Sequence, residues 1–179
     1  VIIDKRIIIG LFLLLFMATQ SYAIGGTKSP KLHNTSVSRT MSKASEYVDQ
    51  YKEAAMEQMR RYGIPASITL AQGILESGSG QSELSRKGNN HFGIKATSSW
   101  LENGGSYLVY ADDKPNEKFC QYASVADSYE HHSLFLKSNK RYSELFKLPP
   151  DDYVGWTKGL QAAGYATDNR YAASLQAVI

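Results

Sequence analysis

Apolar residues recur with a helical period in two consecutive segments. The first stripe has spacings of four, four, four and three, and it consists of Tyr47, Tyr51, Ala55, Met59 and Tyr62. Gly63 follows it and is a typical helix stop. The second stripe lies between Pro65, a residue favoured at helix starts, and Gly78, and it consists of Ile68, Ala71, Ile74 and Leu75. The pattern predicts two amphipathic helices in succession.

The middle of the chain changes from this helical period to short runs of β-formers. Residues Ser106–Tyr110 and Lys118–Tyr122 flank the turn-rich segment "ADDKPNE". Two such runs separated by Asp, Pro and Asn are typical of a β-hairpin. The preceding segment "GNNHFGIK", Gly88–Lys95, has the composition of a loop.

The remaining segments again favour helices. Ser124 and Asp127 have the spacing of a capping box at the start of a helix through "SYEHHSLFLKS". Two shorter helices are expected at Asp152–Ala163 and Asn169–Ile179, and ending inside a helix is typical of a chain that continues for a few residues. The pattern therefore predicts an α+β domain that is mostly α-helical, with one small antiparallel hairpin.

The N-terminal residues have the organisation of a secretory signal peptide. Lys5 and Arg6 precede the apolar run "IIIGLFLLLFMA", and "SYA" at Ser21–Ala23 places small residues at a cleavage site. The run of about twelve residues is shorter than the roughly twenty that span a bilayer, although an uncleaved anchor is the alternative. We expect a signal peptide at 1–23, a flexible lead-in at 24–45 and one domain at 46–179.

Composition excludes several classes of function. The net charge of +3 comes without a dense Lys/Arg block, so we expect no nucleic-acid partner. Cys120 is the only cysteine and cannot form an intramolecular disulfide; we expect a small buried side chain in a strand. His131 and His132 are adjacent and would point about 100° apart on a helix, so they suit an exposed or half-buried face better than a metal site. We predict no metal, no cofactor and a monomer.

Glu76 is the most unusual charged residue, because it lies at the C-terminal end of an apolar helix. The free carbonyls of the last turn disfavour a negative charge, and the neighbouring Ile74 and Leu75 add desolvation. Both effects raise the pKa of Glu76. A carboxyl group that keeps its proton near neutral pH is suited to protonate the leaving oxygen of a glycoside. The alternative is an exposed glutamate that merely tolerates its position.

Five motifs occur in the order "ILESGSGQSELS", "NNHFGIK", "KFCQYASVADSYEHHSLFL", "NKRY" and "GLQAAGYATDNRYAASL". Together they resemble the glucosaminidase domain of glycoside hydrolase family 73, to which flagellar and autolysin peptidoglycan hydrolases belong. The resemblance covers roughly Glu46 to the C-terminus. It implies a lysozyme-like fold with an added hairpin, and cleavage of the N-acetylglucosaminyl-β-1,4-N-acetylmuramyl bond of peptidoglycan glycan strands.

The resemblance also implies roles for individual residues. The family's catalytic acid corresponds to Glu76. The tyrosine of "GYATD", here Tyr165, is associated with the substrate cleft, and the alternative is a tyrosine that packs after a helix stop at Gly164. Asn90 either bonds to sugar or holds its own loop, and Phe92 either stacks on sugar or fills the core. Trp100 and Trp156 have the same two alternatives.

A second carboxylate is expected on the hairpin, where the residues offer Asp112, Asp113 and Glu117. Both aspartates could instead simply favour the turn. Glu83 and Glu102 are further candidates. Without a second carboxylate, the acetamido group of the substrate could act as the nucleophile.

The predicted function is therefore an exported endo-β-N-acetylglucosaminidase, in the periplasm or outside the cell. One alternative is a muramidase or lytic transglycosylase, because those lysozyme-like enzymes also use a helix-end glutamate followed by serine. The other is a glycan-binding module without catalytic activity.

Overall fold

The computed structural model describes residues 33–112 and 114–179 of the chain. The predicted signal peptide, residues 24–32 of the lead-in and the candidate Asp113 lie outside the described residues. The helices are α1 (His33–Tyr62), α2 (Ala66–Ser77), α3 (Glu83–Gly88), α4 (Ser98–Glu102), α5 (Val125–Ser138), a 3₁₀ helix (Lys140–Lys147), α6 (Tyr153–Ala162) and α7 (Tyr171–Val178). The strands are β1 (Tyr107–Tyr110) and β2 (Glu117–Cys120).

The main predicted elements are confirmed, with boundaries shifted by a residue or two. Helix α2 ends where Gly78 adopts a left-handed conformation with a φ of 58°. Helix α5 begins with the complete capping box of Ser124 and Asp127. Helices α3 and α4 and the 3₁₀ helix were not predicted, because elements of five to eight residues are too short to show a clear period.

Helix α1 begins at His33, so the prediction of a flexible lead-in up to Ser45 is wrong for residues 33–45. That segment lacks an apolar stripe but contains neither proline nor glycine. Once a packed segment has nucleated a helix, extension by one residue costs little. The helix nucleated by the amphipathic turns from Tyr47 onward can therefore extend N-terminally to His33.

Strands β1 and β2 form an antiparallel hairpin in which Tyr107 pairs with Cys120 and Tyr110 with Glu117. On the other side of β2, Lys95 forms an isolated antiparallel bridge with Phe119. The segment before α4 is thereby fixed along the inner edge of the hairpin. Cys120 is buried in β2, as predicted.

The core has two parts on either side of α2. The larger part involves α2, α5, the 3₁₀ helix, α6 and α7, and its members include Tyr142, Trp156, Leu160, Tyr165 and Leu175. The smaller part joins α1 and α5 to the hairpin through Ala55, Phe92, Ile94, Cys120, Tyr122 and Tyr129. Helix α2 is consequently held in place along its length. Within the described ranges, no helix combines the length and apolarity that crossing a membrane requires.

His132 corrects the expectation of an exposed or half-buried face for the histidine pair. Its side chain is fully buried and stacks on Phe92, with ring centroids 4.0 Å apart. The loop that contains Phe92 covers this face of α5, which the sequence of α5 alone does not reveal. His131 is partly buried and stacks on Trp100.

Candidate active site

Glu76 lies one residue before the end of α2, where the chain reverses. Gly78, Ser79 and Gly80 all have positive φ angles, of 58°, 57° and 74°. Glycine adopts this conformation at little cost, which explains two of the three residues in the turn. Ser77 stabilises the turn because its Oγ donates to the Gly73 carbonyl oxygen at 2.5 Å and accepts from Gly80 N at 2.7 Å.

Glu76 is a half-buried residue, and its carboxyl group is held from the side by α7. Tyr171 Oη donates to Glu76 Oε1 at 2.7 Å. The same hydroxyl accepts a hydrogen bond from Gln72 Nε2 at 3.0 Å, one turn earlier in α2. This chain of two hydrogen bonds orients one oxygen of Glu76 and leaves Oε2 for other partners.

The surroundings raise the pKa of Glu76 from 4.5 to about 7. Removal of water from the carboxylate is the largest cause, and the negative charge of Asp112 adds to the rise. The hydrogen bond from Tyr171 opposes both effects, because it favours the ionised form. Near neutral pH a large fraction of Glu76 is therefore protonated, as a general acid requires.

Asp112 follows β1 and brings the second carboxylate of the hairpin toward Glu76. Its side chain is 1% exposed, and its Oδ2 lies 2.9 Å from Lys95 Nζ. Its Oδ1 has no hydrogen-bond partner among the described residues. A buried carboxylate oxygen without a partner is costly, so such a group is expected to have a role that requires it.

Glu117, the other described hairpin candidate, has both of its carboxylate oxygens in hydrogen bonds with nearby residues. Both of its carboxylate oxygens accept hydrogen bonds from Lys95 Nζ at 3.0 Å, and Oε2 also accepts from Lys114 N at 3.3 Å. Of the two described hairpin candidates, Asp112 alone retains an oxygen without a hydrogen bond.

Two further carboxylate candidates lie on the protein surface. Glu83 is exposed in the first turn of α3 and forms an ion pair with Lys87 one turn later. Glu102 is exposed at the end of α4. Neither residue has a described contact with Glu76, so the structure gives no support to a catalytic role for them.

Asn90 is buried, and its side chain holds the loop rather than facing a cleft. Its Nδ2 donates to the carbonyl oxygens of Ile94 and Cys120 at 2.9 and 2.8 Å. Its Oδ1 accepts from Ile94 N at 3.1 Å and more weakly from Phe92 N. With both amide donors and the oxygen used internally, no polar atom remains for a sugar. The predicted substrate contact of Asn90 does not fit this placement.

Three of the four aromatic candidates are also in the interior, whereas Trp100 is half-buried. Phe92 and Tyr165 are both fully buried, and Trp156 is 1% exposed. The substrate contacts predicted for Phe92 and Tyr165 therefore do not fit their positions, because no face of either ring is open to a ligand. Tyr165 instead stacks on Tyr171, with centroids 5.5 Å apart and planes within 13° of each other. It thus supports the ring that bonds to Glu76.

A second polar cluster lies beneath α2. Tyr47 Oη is 2.8 Å from His91 Nδ1 and accepts a hydrogen bond from Tyr129 Oη at 2.9 Å. A Cβ atom on Gly73 would lie 2.3 Å from Tyr47 Oη. Glycine at position 73 therefore lets α1 approach α2 closely, three residues before Glu76.

In the described part of the chain, no group of three or more His, Cys, Asp or Glu side chains could hold a metal ion.

The family model described as "Glucosaminidase: Mannosyl-glycoprotein endo-beta-N-acetylglucosaminidase" matches residues 52–179. The chain belongs to this glucosaminidase family. The resemblance drawn from the five motifs is thereby confirmed.

Solved glucosaminidase-family structures support the same fold. A peptidoglycan hydrolase from Sphingomonas sp. A1 aligns with a TM-score of 0.65 and 29% identity, over 74% of this chain and 85% of that one. The glycoside hydrolase domain of Salmonella typhimurium FlgJ aligns with a TM-score of 0.62 and 30% identity, over 75% and 85%. The predicted lysozyme-like fold, mostly helical with one hairpin, is confirmed.

Among curated relatives, the exo-glucosaminidase LytG of Bacillus subtilis is 27% identical over 98% of this chain and 64% of its own length. The peptidoglycan hydrolase FlgJ of Vibrio parahaemolyticus is 32% identical over 70% of this chain and 43% of its own. The chain thus spans between two fifths and two thirds of the length of these two relatives.

Sequence reasoning did not identify Tyr171, Gln72 or Lys95 as parts of the site. Tyr171 and Lys95 lie within quoted motifs, whereas Gln72 lies in the second predicted helix outside its apolar stripe. Their contacts join residues 17 to 99 positions apart, and no local pattern indicates such pairs.

Proposed function

We propose that this glucosaminidase-family chain is a peptidoglycan hydrolase that cleaves the β-1,4 bond between N-acetylglucosamine and N-acetylmuramic acid. The observation that carries the proposal is the environment of Glu76. Glu76 is a half-buried residue, its carboxyl group has a pKa raised to about 7, and that group lies within electrostatic range of the buried Asp112. A protonated acid beside a carboxylate is the pairing that most glycosidases use.

In the proposed reaction, protonated Glu76 donates its proton to the glycosidic oxygen as the bond to the anomeric carbon breaks. The sugar ring then carries positive charge, and the negative charge of the buried Asp112 stabilises it electrostatically. The water oxygen bonds to the anomeric carbon, and its hydrogen replaces the one that Glu76 gave away. Tyr171 keeps Glu76 oriented through the hydrogen bond to Oε1.

The substrate class and location rest on the relatives and on the N-terminal sequence. FlgJ of several bacteria and the Sphingomonas protein are named peptidoglycan hydrolases, and Enterococcus faecalis has an autolysin that is 31% identical over 75% of this chain. Peptidoglycan lies outside the cytoplasmic membrane, which agrees with the signal peptide predicted at residues 1–23. We infer an exported enzyme acting on the cell wall.

The test combines clearing of purified cell walls with mass spectrometry of the products. We expect the walls to clear and new reducing ends to be N-acetylglucosamine. The Glu76→Gln variant should lose about 10²–10⁴ in rate, while Glu83→Gln, a matched change at an exposed site, should keep the parent rate.

Other products would identify the alternatives. Reducing muramic ends would indicate a muramidase, and anhydromuramic ends a lytic transglycosylase. Retention of the protein on walls without clearing would indicate a binding module. Clearing by Glu76→Gln at the parent rate would refute the role of Glu76 as the acid.

A second candidate function is exo-acting cleavage, because the LytG relative that aligns over 98% of this chain is named an exo-glucosaminidase. An exo-enzyme releases single sugars from strand ends, whereas an endo-enzyme shortens strands at once. The length distribution of glycan strands early in digestion separates the two.

A further inference from the structure

Lys95 joins three parts of the candidate site through one buried ammonium group. Its backbone pairs with Phe119 along the inner edge of β2, and its side chain is 10% exposed. The Nζ atom lies 2.9 Å from Asp112 Oδ2 and 3.0 Å from each carboxylate oxygen of Glu117. One cation is thus shared by carboxylates from the two ends of the hairpin loop.

The two carboxylates use this cation differently. Glu117 has both oxygens on Lys95 and a further bond from Lys114 N, so its position is fully determined. Asp112 has one oxygen on Lys95 and the other without a hydrogen-bond partner in the described residues. The ion pair with Lys95 therefore anchors Asp112 through Oδ2, while the buried Oδ1 keeps its negative charge without a hydrogen bond to offset it.

Building a charge cluster of this kind into a partly buried hairpin is not an efficient route to stability. Desolvation of the three charges offsets most of their attraction, and apolar side chains of similar volume often stabilise as well or better. A role in function accounts for the arrangement more directly. Reacting groups in enzymes must be held within a fraction of an ångström, and supporting residues supply that precision.

We propose that Lys95 is a positioning residue that holds Asp112 opposite Glu76, with Glu117 fixing the ammonium group from the other side. The inference rests on the proposed function, because it assigns Lys95 to the support of the second carboxylate of that reaction. Lys95 does not itself touch the substrate in this account. Its effect on the reaction passes through Asp112.

Double-mutant cycles on a soluble peptidoglycan fragment test the inference. Lys95→Met should lower kcat by about 10- to 100-fold with KM within about twofold, because a displaced carboxylate affects the transition state more than substrate binding. In the cycle with Asp112→Asn, the double variant should be no slower than Asp112→Asn alone. In the cycle with Glu117→Gln, adding Lys95→Met should still lower kcat by about the same factor as it does in the parent.

Lys118→Met is the matched control, because Lys118 is exposed on β2 and its ammonium lies 4.4 Å from the centroid of the Tyr107 ring. It should keep the parent kcat. If Lys95→Met does not fold, the kcat of Lys95→Met/Asp112→Asn is compared with that of Asp112→Asn instead. That double variant removes one charge of each sign, so it leaves no additional unpaired charge in the cluster, and equal kcat values would support the inference. Circular dichroism monitors the fold of every variant.

Three results would overturn the inference: a double variant much slower than Asp112→Asn alone, coupling of Lys95 to Glu117 but not to Asp112, or an Asp112→Asn variant at the parent rate. A loss expressed mainly in KM would also overturn it, because it would indicate a structural role for the hairpin in binding. A parent protein that cleaves no glycan would instead refute the proposed function, and the inference with it.

Discussion

Replacing Glu76 by glutamine should stabilise the protein by about 3 kcal/mol at alkaline pH and by less than about 1 kcal/mol at pH 5. An unfolded glutamate titrates near 4.5, whereas the folded state raises the pKa of Glu76 to about 7. Between these two values the folded state holds a proton that the unfolded state has lost. The free energy of unfolding of the parent therefore falls as pH rises through this window.

The size of the effect follows from the two pKa values. A difference of about 2.5 units at 1.36 kcal/mol per unit amounts to about 3 kcal/mol, fully developed above pH 7. Glutamine cannot ionise, and its Oε1 can still accept the hydrogen bond from Tyr171. Glu76→Gln should therefore exceed the parent by about 3 kcal/mol at pH 8.5, or roughly 6–12 °C in Tm for a domain of this size.

Thermal and urea unfolding of parent and variant at pH 5 and pH 8.5 would measure this difference. Glu83→Gln is the control, because Glu83 is exposed and its ion pair with Lys87 lowers its pKa. Its substitution should cause a small loss above pH 5 rather than a gain. The same Glu76→Gln sample should be inactive in wall clearing, so one variant would gain stability and lose function.

Equal stability of parent and Glu76→Gln at pH 8.5 would refute the reasoning. It would mean that the folded protein does not penalise the Glu76 carboxylate, and the argument for a protonated catalyst at neutral pH would fail with it. A gain of the same size at pH 5 and pH 8.5 would also contradict the reasoning, because it would show a packing effect unrelated to ionisation.

Three further substitutions test other parts of the structure. Tyr171→Phe removes a hydrogen bond that lowers the pKa of Glu76, so the alkaline limb of the pH–rate profile should move to higher pH; an unmoved limb would contradict the contact. Gly73→Ala places a Cβ 2.3 Å from Tyr47 Oη and should cost about 1–3 kcal/mol in urea unfolding, partly recovered by adding Tyr47→Phe; a fully stable Gly73→Ala would be evidence against that packing. Burial lowers the pKa of His132 from 6.5 to about 3, so the parent loses stability as pH falls below 6.5. Between pH 8 and pH 5, the free energy of unfolding of His132→Leu should fall by about 2 kcal/mol less than that of the parent. The same pH dependence of unfolding in both proteins would show that His132 is not held in its neutral form by burial.

The residues around Asn90 show where sequence reasoning stopped. The family motifs that contain Asn90, Phe92 and Tyr165 allow either a substrate contact or a packing role, and in the structure all three residues are buried. A motif marks a residue as constrained without saying whether packing or a ligand imposes the constraint. The deciding quantity is access to solvent, which depends on what the rest of the chain places over each side chain.

The sequence alone determined the features that depend on neighbouring residues. The helical stripes, the glycine stop after α2, the capping box of α5 and the hairpin all follow from interactions within a few positions. The unfavourable location of Glu76 at a helix end follows in the same way, since the helix carbonyls and Ile74 and Leu75 are local.

Only the tertiary structure decided which groups meet Glu76. Tyr171 comes from α7, and Asp112 reaches the site because the hairpin packs against the segment containing Lys95. These contacts are set by how amphipathic faces pack together, and a shift of one residue in register would change the partners. Local patterns thus indicated Glu76 as the candidate acid, whereas long-range packing selected its neighbours, including Tyr171 and Asp112.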